Sequence, residues 1–96
     1  MLRAKGESVR YMVIESYTHG PGPVYARAAE QGRMLPPGLV YLESWIDERA
    51  LDRCFQLMET EEPSAFDQWI IHWDDLVKFE IIPLISSAEA TARPDG

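Results

Sequence analysis

The side chains able to carry out nucleophilic, metal or acid–base chemistry are few and scattered. His19, Cys54 and His72 stand 35 and 18 positions apart, with no C-x-x-C or H-x-x-x-H spacing. That separation predicts no metal site. No G-x-G-x-x-G, Walker loop or G-x-S-x-G elbow occurs, so the phosphate-cradling and elbow-serine mechanisms drop out. His19 lies in the turn-forming run Thr18-His19-Gly20-Pro21-Gly22-Pro23, at home either in a ligand-binding loop or in an ordinary surface turn. His72 adjoins Trp73 and has the near-neutral pKa of a general base, yet the same position suits a helix-surface histidine. Cys54 has no neighbouring feature that would activate a thiol and reads as a small buried hydrophobe. The carboxylates Glu15 and Glu43 remain. Both sit in aromatic-rich strand-like segments, where desolvation raises a carboxyl pKa toward neutrality and fits it for general acid or base work. The competing reading is an interface carboxylate paired with Arg10 or Arg53.

The elements that must position these groups follow from periodicity and turn chemistry. Val9 to Tyr17 is dense in β-branched and aromatic residues and predicts a strand. A helix is expected from Pro23 to about Arg33, with Pro23 in its first turn and Gly32 near its end. Leu39 to Asp47 and Arg53 to Glu59 read as two strands joined by the polar hairpin segment DERALD. Phe66, Trp69, Ile70, Trp73, Leu76 and Val77 recur on one helical face, and Ser64 with Asp67 offers a capping pattern at the start of that helix. Lys78 to Ile85 is the last strand, and Pro83 places it at a sheet edge.

The order is β-α-β-β-α-β. Right-handed crossovers make of it a ferredoxin-like α+β fold: a four-stranded antiparallel sheet with both helices on one face, strands one and three central. Matching alternation by polarity puts Tyr11, Val13, Glu15 and Tyr17 on the open face of the first strand, and Tyr41, Glu43 and Trp45 on that of the second. Strand three is ambiguous, with Phe55 and Leu57 on one side and Cys54, Gln56 and Met58 on the other. In the last strand Glu80, Ile82 and Leu84 join the open face if Phe79 and Ile81 meet the helices. So large an apolar patch predicts a homodimer packed sheet against sheet, with Glu15, Glu43 and Gln56 in a partly enclosed aromatic space.

Length and charge narrow the classes further. The 96 residues suit one domain, read as residues 9–85 flanked by extensions at 1–8 and 86–96. Nine basic against sixteen acidic residues give a net charge of −7, which argues against a nucleic-acid partner or a polybasic membrane patch. Ten of the acidic residues and only two basic ones fall between Glu43 and Asp75, so an anionic ligand is repelled unless the cleft has its own cation. No window approaches the roughly 18 apolar residues of a membrane span. With one cysteine and no apolar leader-length run in Met1 to Arg10, a cytoplasmic setting is expected.

Four strings, YMVIESY (Tyr11 to Tyr17), GRMLPPGLVYLESW (Gly32 to Trp45), DRCFQLMET (Asp52 to Thr60) and WDDLVKFEIIP (Trp73 to Pro83), agree in order and spacing with a known pattern. They resemble a family of uncharacterised short bacterial proteins, a domain of unknown function in the dimeric α/β-barrel superfamily. The resemblance covers about Val9 to Ile85 and implies a ferredoxin-like dimer but no particular reaction, since the superfamily includes cofactor-free monooxygenases, isomerases, haem-degrading proteins and ligand sensors. Together these readings predict a homodimeric small-molecule-binding protein with an aromatic and acidic cleft on the open sheet face. Glu15 and Glu43 would handle protons in cofactor-free acid–base or oxygenation chemistry, and Tyr11, Tyr41, Trp45, Gln56 and His19 would surround a small apolar or aromatic ligand. The alternative is a non-enzymatic interaction or sensor module whose open face only makes the dimer.

Overall fold

The structure, a computed structural model, describes residues 7–93. Residues 1–6 and 94–96, parts of the extensions expected at 1–8 and 86–96, lie outside those residues. Strand β1 (Val9–Tyr17) ends where Gly20 takes a φ of 78°, a conformation open to a residue without Cβ. Pro21, whose φ is fixed and whose missing N–H is no loss at a helix start, opens α1 (Pro21–Gln31). The chain returns as β2 (Val40–Ile46), turns through Asp47–Asp52 and runs back as β3 (Arg53–Thr60). In that hairpin the Asp47 carboxylate accepts from the Arg49 N–H at 3.0 Å, and the Asp47 N–H donates to the Arg53 carbonyl at 2.9 Å. Helix α2 (Ala65–Ile70), β4 (Val77–Leu84) and α3 (Ser87–Ala92) complete the described chain.

The sheet order is β2-β3-β1-β4 with every pair antiparallel, and the βαββαβ order gives the ferredoxin-like α+β fold expected from the sequence. Pro83 lies on edge strand β4 opposite Tyr11, where its missing donor costs one ladder bond at most. No helix among the described residues is long and apolar enough to cross a membrane.

Helix α2 is shorter than its apolar periodicity predicts. It ends at Ile70, and the chain continues through single turns in which Trp73 N–H donates to Ile70 and Leu76 N–H to Trp73. These turns keep nearly helical spacing, so Phe66, Trp69, Trp73 and Val77 all reach the core although only the first two belong to the helix. Ser64 makes no side-chain cap, because it already has right-handed helical φ and ψ. The reverse holds at the other end of the chain. Residues 86–93, read from sequence as part of a terminal extension, contain α3, whose N-terminus is closed by a Ser86–Glu89 capping box.

The face assignment of β1 is inverted relative to its polarity. Tyr11, Val13, Glu15 and Tyr17 are buried beneath the helices, while Met12 and Ile14 lie on the open face with Phe55, Leu57, Ile82 and Leu84. Tyr11 meets the Phe66 ring edge-on at 4.9 Å, which fixes the orientation. Gln56 goes with the covered set, between Cys54 and Met58. A bulge in β2 accounts for one further difference. Tyr41 pairs with Met58 but Glu43 pairs with Leu57, so Leu42 is the extra residue. Tyr41 therefore shares the covered face with Ser44, to which its hydroxyl hydrogen-bonds at 2.8 Å, whereas Glu43 and Trp45 keep the open face as predicted.

Trp69 is 2% exposed and packs on Phe79 at 5.2 Å and Phe66 at 6.5 Å. Trp69→Ala should cost about 3–5 kcal/mol by urea denaturation, the range for deleting a buried aromatic side chain. Trp69→Phe should cost distinctly less, since it keeps most of the packing and loses one indole hydrogen bond.

Candidate functional site

A cavity of about 260 Å3 lies between the covered face of the sheet and the two helices. Its floor is Glu15 of β1 with Cys54 and Gln56 of β3. Its walls are Val24, Tyr25 and Ala28 of α1, Trp69 and Trp73, with Arg33, Ser44 and Ile46 completing the lining. Tyr25 and Ile46 are well exposed and form part of the rim.

The roof is held by two sets of contacts. The indole N–H groups of Trp69 and Trp73 both donate to the Arg33 carbonyl, at 3.0 and 3.1 Å. That carbonyl precedes Met34, which has a left-handed φ of 58°, so the link after α1 is pinned where the chain turns. Pinning it sets the Arg33 guanidinium 3.7 Å above the Tyr41 ring. Arg27 then ties α1 to the turns after α2. It makes a bidentate pair with Asp75 at 2.7 and 2.8 Å, donates to the His72 carbonyl at 2.9 Å, and lies over the Trp73 ring.

Glu15 and Gln56 are the polar groups of the floor, 5% and 6% exposed. Gln56 Nε2 donates to Glu15 Oε2 at 2.6 Å. Burial lifts the Glu15 carboxyl to a pKa of about 7, although the Gln56 hydrogen bond and the positive charge of Arg33 pull the other way. Cys54 is pushed up to about 11, first by burial and then by the Glu15 charge. Tyr17 is raised by burial, with Cys54 and Glu15 adding to it. Thiol and phenol are thus neutral near pH 7, while Glu15 is divided between its two protonation states. The geometry supplies a proton donor and acceptor in an apolar space, with one fixed cation nearby.

Of the residues predicted from sequence, the cavity brings together Glu15 and Gln56, with Tyr41 beneath Arg33. It does not include the others. Glu43 and Trp45 are exposed on the opposite face of the sheet, so the expected Glu15–Glu43 pair does not form. Tyr11 is on the covered face but packs into the core against Phe66. His19 and His72 are exposed and outside the lining. Among the described residues no three His, Cys, Asp or Glu side chains converge for a metal ion. Arg33, Trp69, Trp73 and Tyr17 are the site residues that sequence reasoning missed as such. For Trp69 and Trp73 a signal existed, since each of two indoles one turn apart on an apolar face needs a hydrogen bond to an acceptor.

The raised Glu15 pKa has a consequence for stability. The native state holds the proton more tightly than the unfolded chain, so the contribution is full below about pH 4.5 and is lost as pH rises through about 7. A loss of roughly 3 kcal/mol across that window is expected in urea midpoints, and Glu15→Gln should flatten it. A carbon-13 titration of the Glu15 carboxyl with its midpoint near 4.5 instead of 7 would contradict this.

Neither the curated proteins nor the solved structures contain a significant match to the chain. Residues 9–93 match the model of the family described as Domain of unknown function (DUF3303), and a match over that share of the sequence shows that the chain belongs to this family.

Proposed function

We propose that this protein binds a small apolar or aromatic molecule in the cavity between helices and sheet, and that Glu15 exchanges a proton with it without a cofactor. One observation carries the reading: a carboxyl buried on the floor of an aromatic-walled space with one hydrogen bond and no salt bridge. Burying such a group without a salt bridge is unfavourable, and perturbed carboxyls of this kind cluster at functional sites. Its pKa matches the operating pH, as a general acid or base requires. Glu43 has no part in this chemistry, being on the other face of the sheet.

The open face supports a second element of the proposal, a homodimer of the dimeric α/β-barrel type. Met12, Ile14, Phe55, Leu57, Ile82 and Leu84 make a continuous apolar centre there. Charged side chains surround it, including the Arg10–Glu59 pair at 3.2 Å. An apolar centre within a polar rim is the anatomy of a protein interface, and a second copy of the same face is its simplest partner. A module in which this face alone functions is favoured only if the cavity proves empty of ligands.

Ligand-observed NMR with a library of single-ring fragments tests the first element. Binders to the wild type should lose their signal with Ala28→Phe, which fills the cavity from α1, and a library without binders would overturn the proposal. Sedimentation at micromolar concentration tests the second. The wild type should run as a dimer and Leu57→Lys, in the centre of the open face, as a monomer; a monomeric wild type would refute the interface.

A further inference from the structure

Gln56 presents an acceptor that nothing in the fold satisfies. Its amide nitrogen gives one N–H to Glu15, and its Oε1 is buried with no hydrogen-bond partner, while the residue lines the cavity floor. Buried acceptors are paired in native proteins, so a donor from outside the fold is called for at this point. The pair also has a second arrangement. A protonated Glu15 can donate to Gln56 Oε1 once the amide rotates by half a turn, and the amide N–H2 then takes the place that Oε1 held. A hydroxyl, which both donates and accepts, satisfies either arrangement, whereas an ammonium or an ether satisfies only one.

Arg33 supplies the other polar end. Among the described residues no carboxylate lies within salt-bridge distance of it, while Arg10, Arg27 and Arg53 each have one. It lines the cavity, and its backbone is pinned by two indoles. In a chain of net charge −7 such a cation provides the local attraction an anionic ligand needs. The space between the two ends is walled by Tyr17, Tyr25, Trp69 and Trp73. Its volume of about 260 Å3 lies just below the span of roughly 300–1,000 Å3 usual for larger ligands, which suits one ring.

We propose that the ligand is a single-ring aromatic carboxylate bearing a hydroxyl group, its hydroxyl on Gln56 and Glu15 and its carboxylate on Arg33. This rests on the cavity being the binding site, as argued above. Calorimetric titration of the full chain with 3- and 4-hydroxybenzoate, benzoate and phenol separates the two ideas. At least one hydroxybenzoate should bind about ten-fold or more tightly than both benzoate and phenol, since each end adds a charge-assisted or buried hydrogen bond. Arg33→Gln should remove most of the advantage over phenol, and Gln56→Leu most of the advantage over benzoate, in variants whose near-ultraviolet circular dichroism matches the wild type. Should Gln56→Leu fail to fold, the Arg33→Gln comparison still decides the carboxylate end and the wild-type benzoate comparison the hydroxyl end. Phenol binding as tightly as the hydroxybenzoates, or an Arg33→Gln variant of undiminished preference, would overturn this ligand class while leaving the cavity as a binding site. Failure of all four probes to bind would overturn the ligand class, and only an equally silent fragment library would overturn the cavity with it.

Discussion

Two indole N–H groups meeting on one carbonyl hold this molecule in the form that leaves a cavity. Trp69 and Trp73 sit one turn apart, and each must find an acceptor when buried; the Arg33 carbonyl serves both. The consequence spreads in three directions. The end of α2 is fixed over the sheet although that helix has only six residues. The link between α1 and β2 is fixed at Met34, a residue in a conformation that L side chains seldom adopt. The Arg33 side chain is left at the cavity with its flat face on Tyr41. A helix this short has little stability of its own, so tertiary contacts of this kind must supply the order.

That geometry also explains how a carboxyl comes to be buried in mid-sheet. Glu15 lies on central strand β1, between β3 and β4, opposite Cys54 and Phe79. A close-packed core at this position would exclude it, because an ionised carboxylate without full pairing is too costly there. The cavity leaves it with one hydrogen bond and the positive charge of Arg33 in place of a salt bridge. Neutralisation through a raised pKa is the usual outcome for a group so placed. The same compromise leaves Gln56 half satisfied, and a network left incomplete in a buried place is costly.

Much of the fold was legible in the sequence. Strand-forming composition marked β1, the polar DERALD segment marked the hairpin, and Pro83 marked an edge; together they led to the observed sheet order. Which face of each strand is covered was less legible. Assigning faces by polarity assumes that a charged residue points to water, and on that assumption Glu15 drew Tyr11 and Tyr17 with it to the open side. Both alternations of β1 are apolar apart from one or two positions, so a single carboxyl decided the assignment. The bulge at Leu42 is invisible to alternation for another reason: one added residue reverses every face on one side of it. Periodicity likewise cannot tell an α-helix from successive tight turns of nearly the same pitch, which is why α2 was read as longer than it is. The Ser86–Glu89 pair stood in the sequence as a capping pattern, yet residues 86–96 were read as an extension and α3 was missed.

Inverting β1 alters more than an orientation. With Glu15 on the open face, ligand and second copy would have shared one surface, and binding would have been inseparable from dimerisation. On the covered face Glu15 opens into the space beneath the helices, while Met12 and Ile14 take its place opposite. Both faces of the sheet are therefore apolar for independent reasons: one to pack helices around a cavity, the other to leave a surface that water does not solvate well. A chain of 96 residues can rarely spend so much apolar surface twice. Substitutions at Leu57 and its neighbours change the open face without touching the cavity lining. Substitutions at Arg33 or Gln56 change the cavity without touching the open face. The shared elements are β1 and β3, whose alternate side chains serve both surfaces, so coupling between the two passes through the central pair of strands.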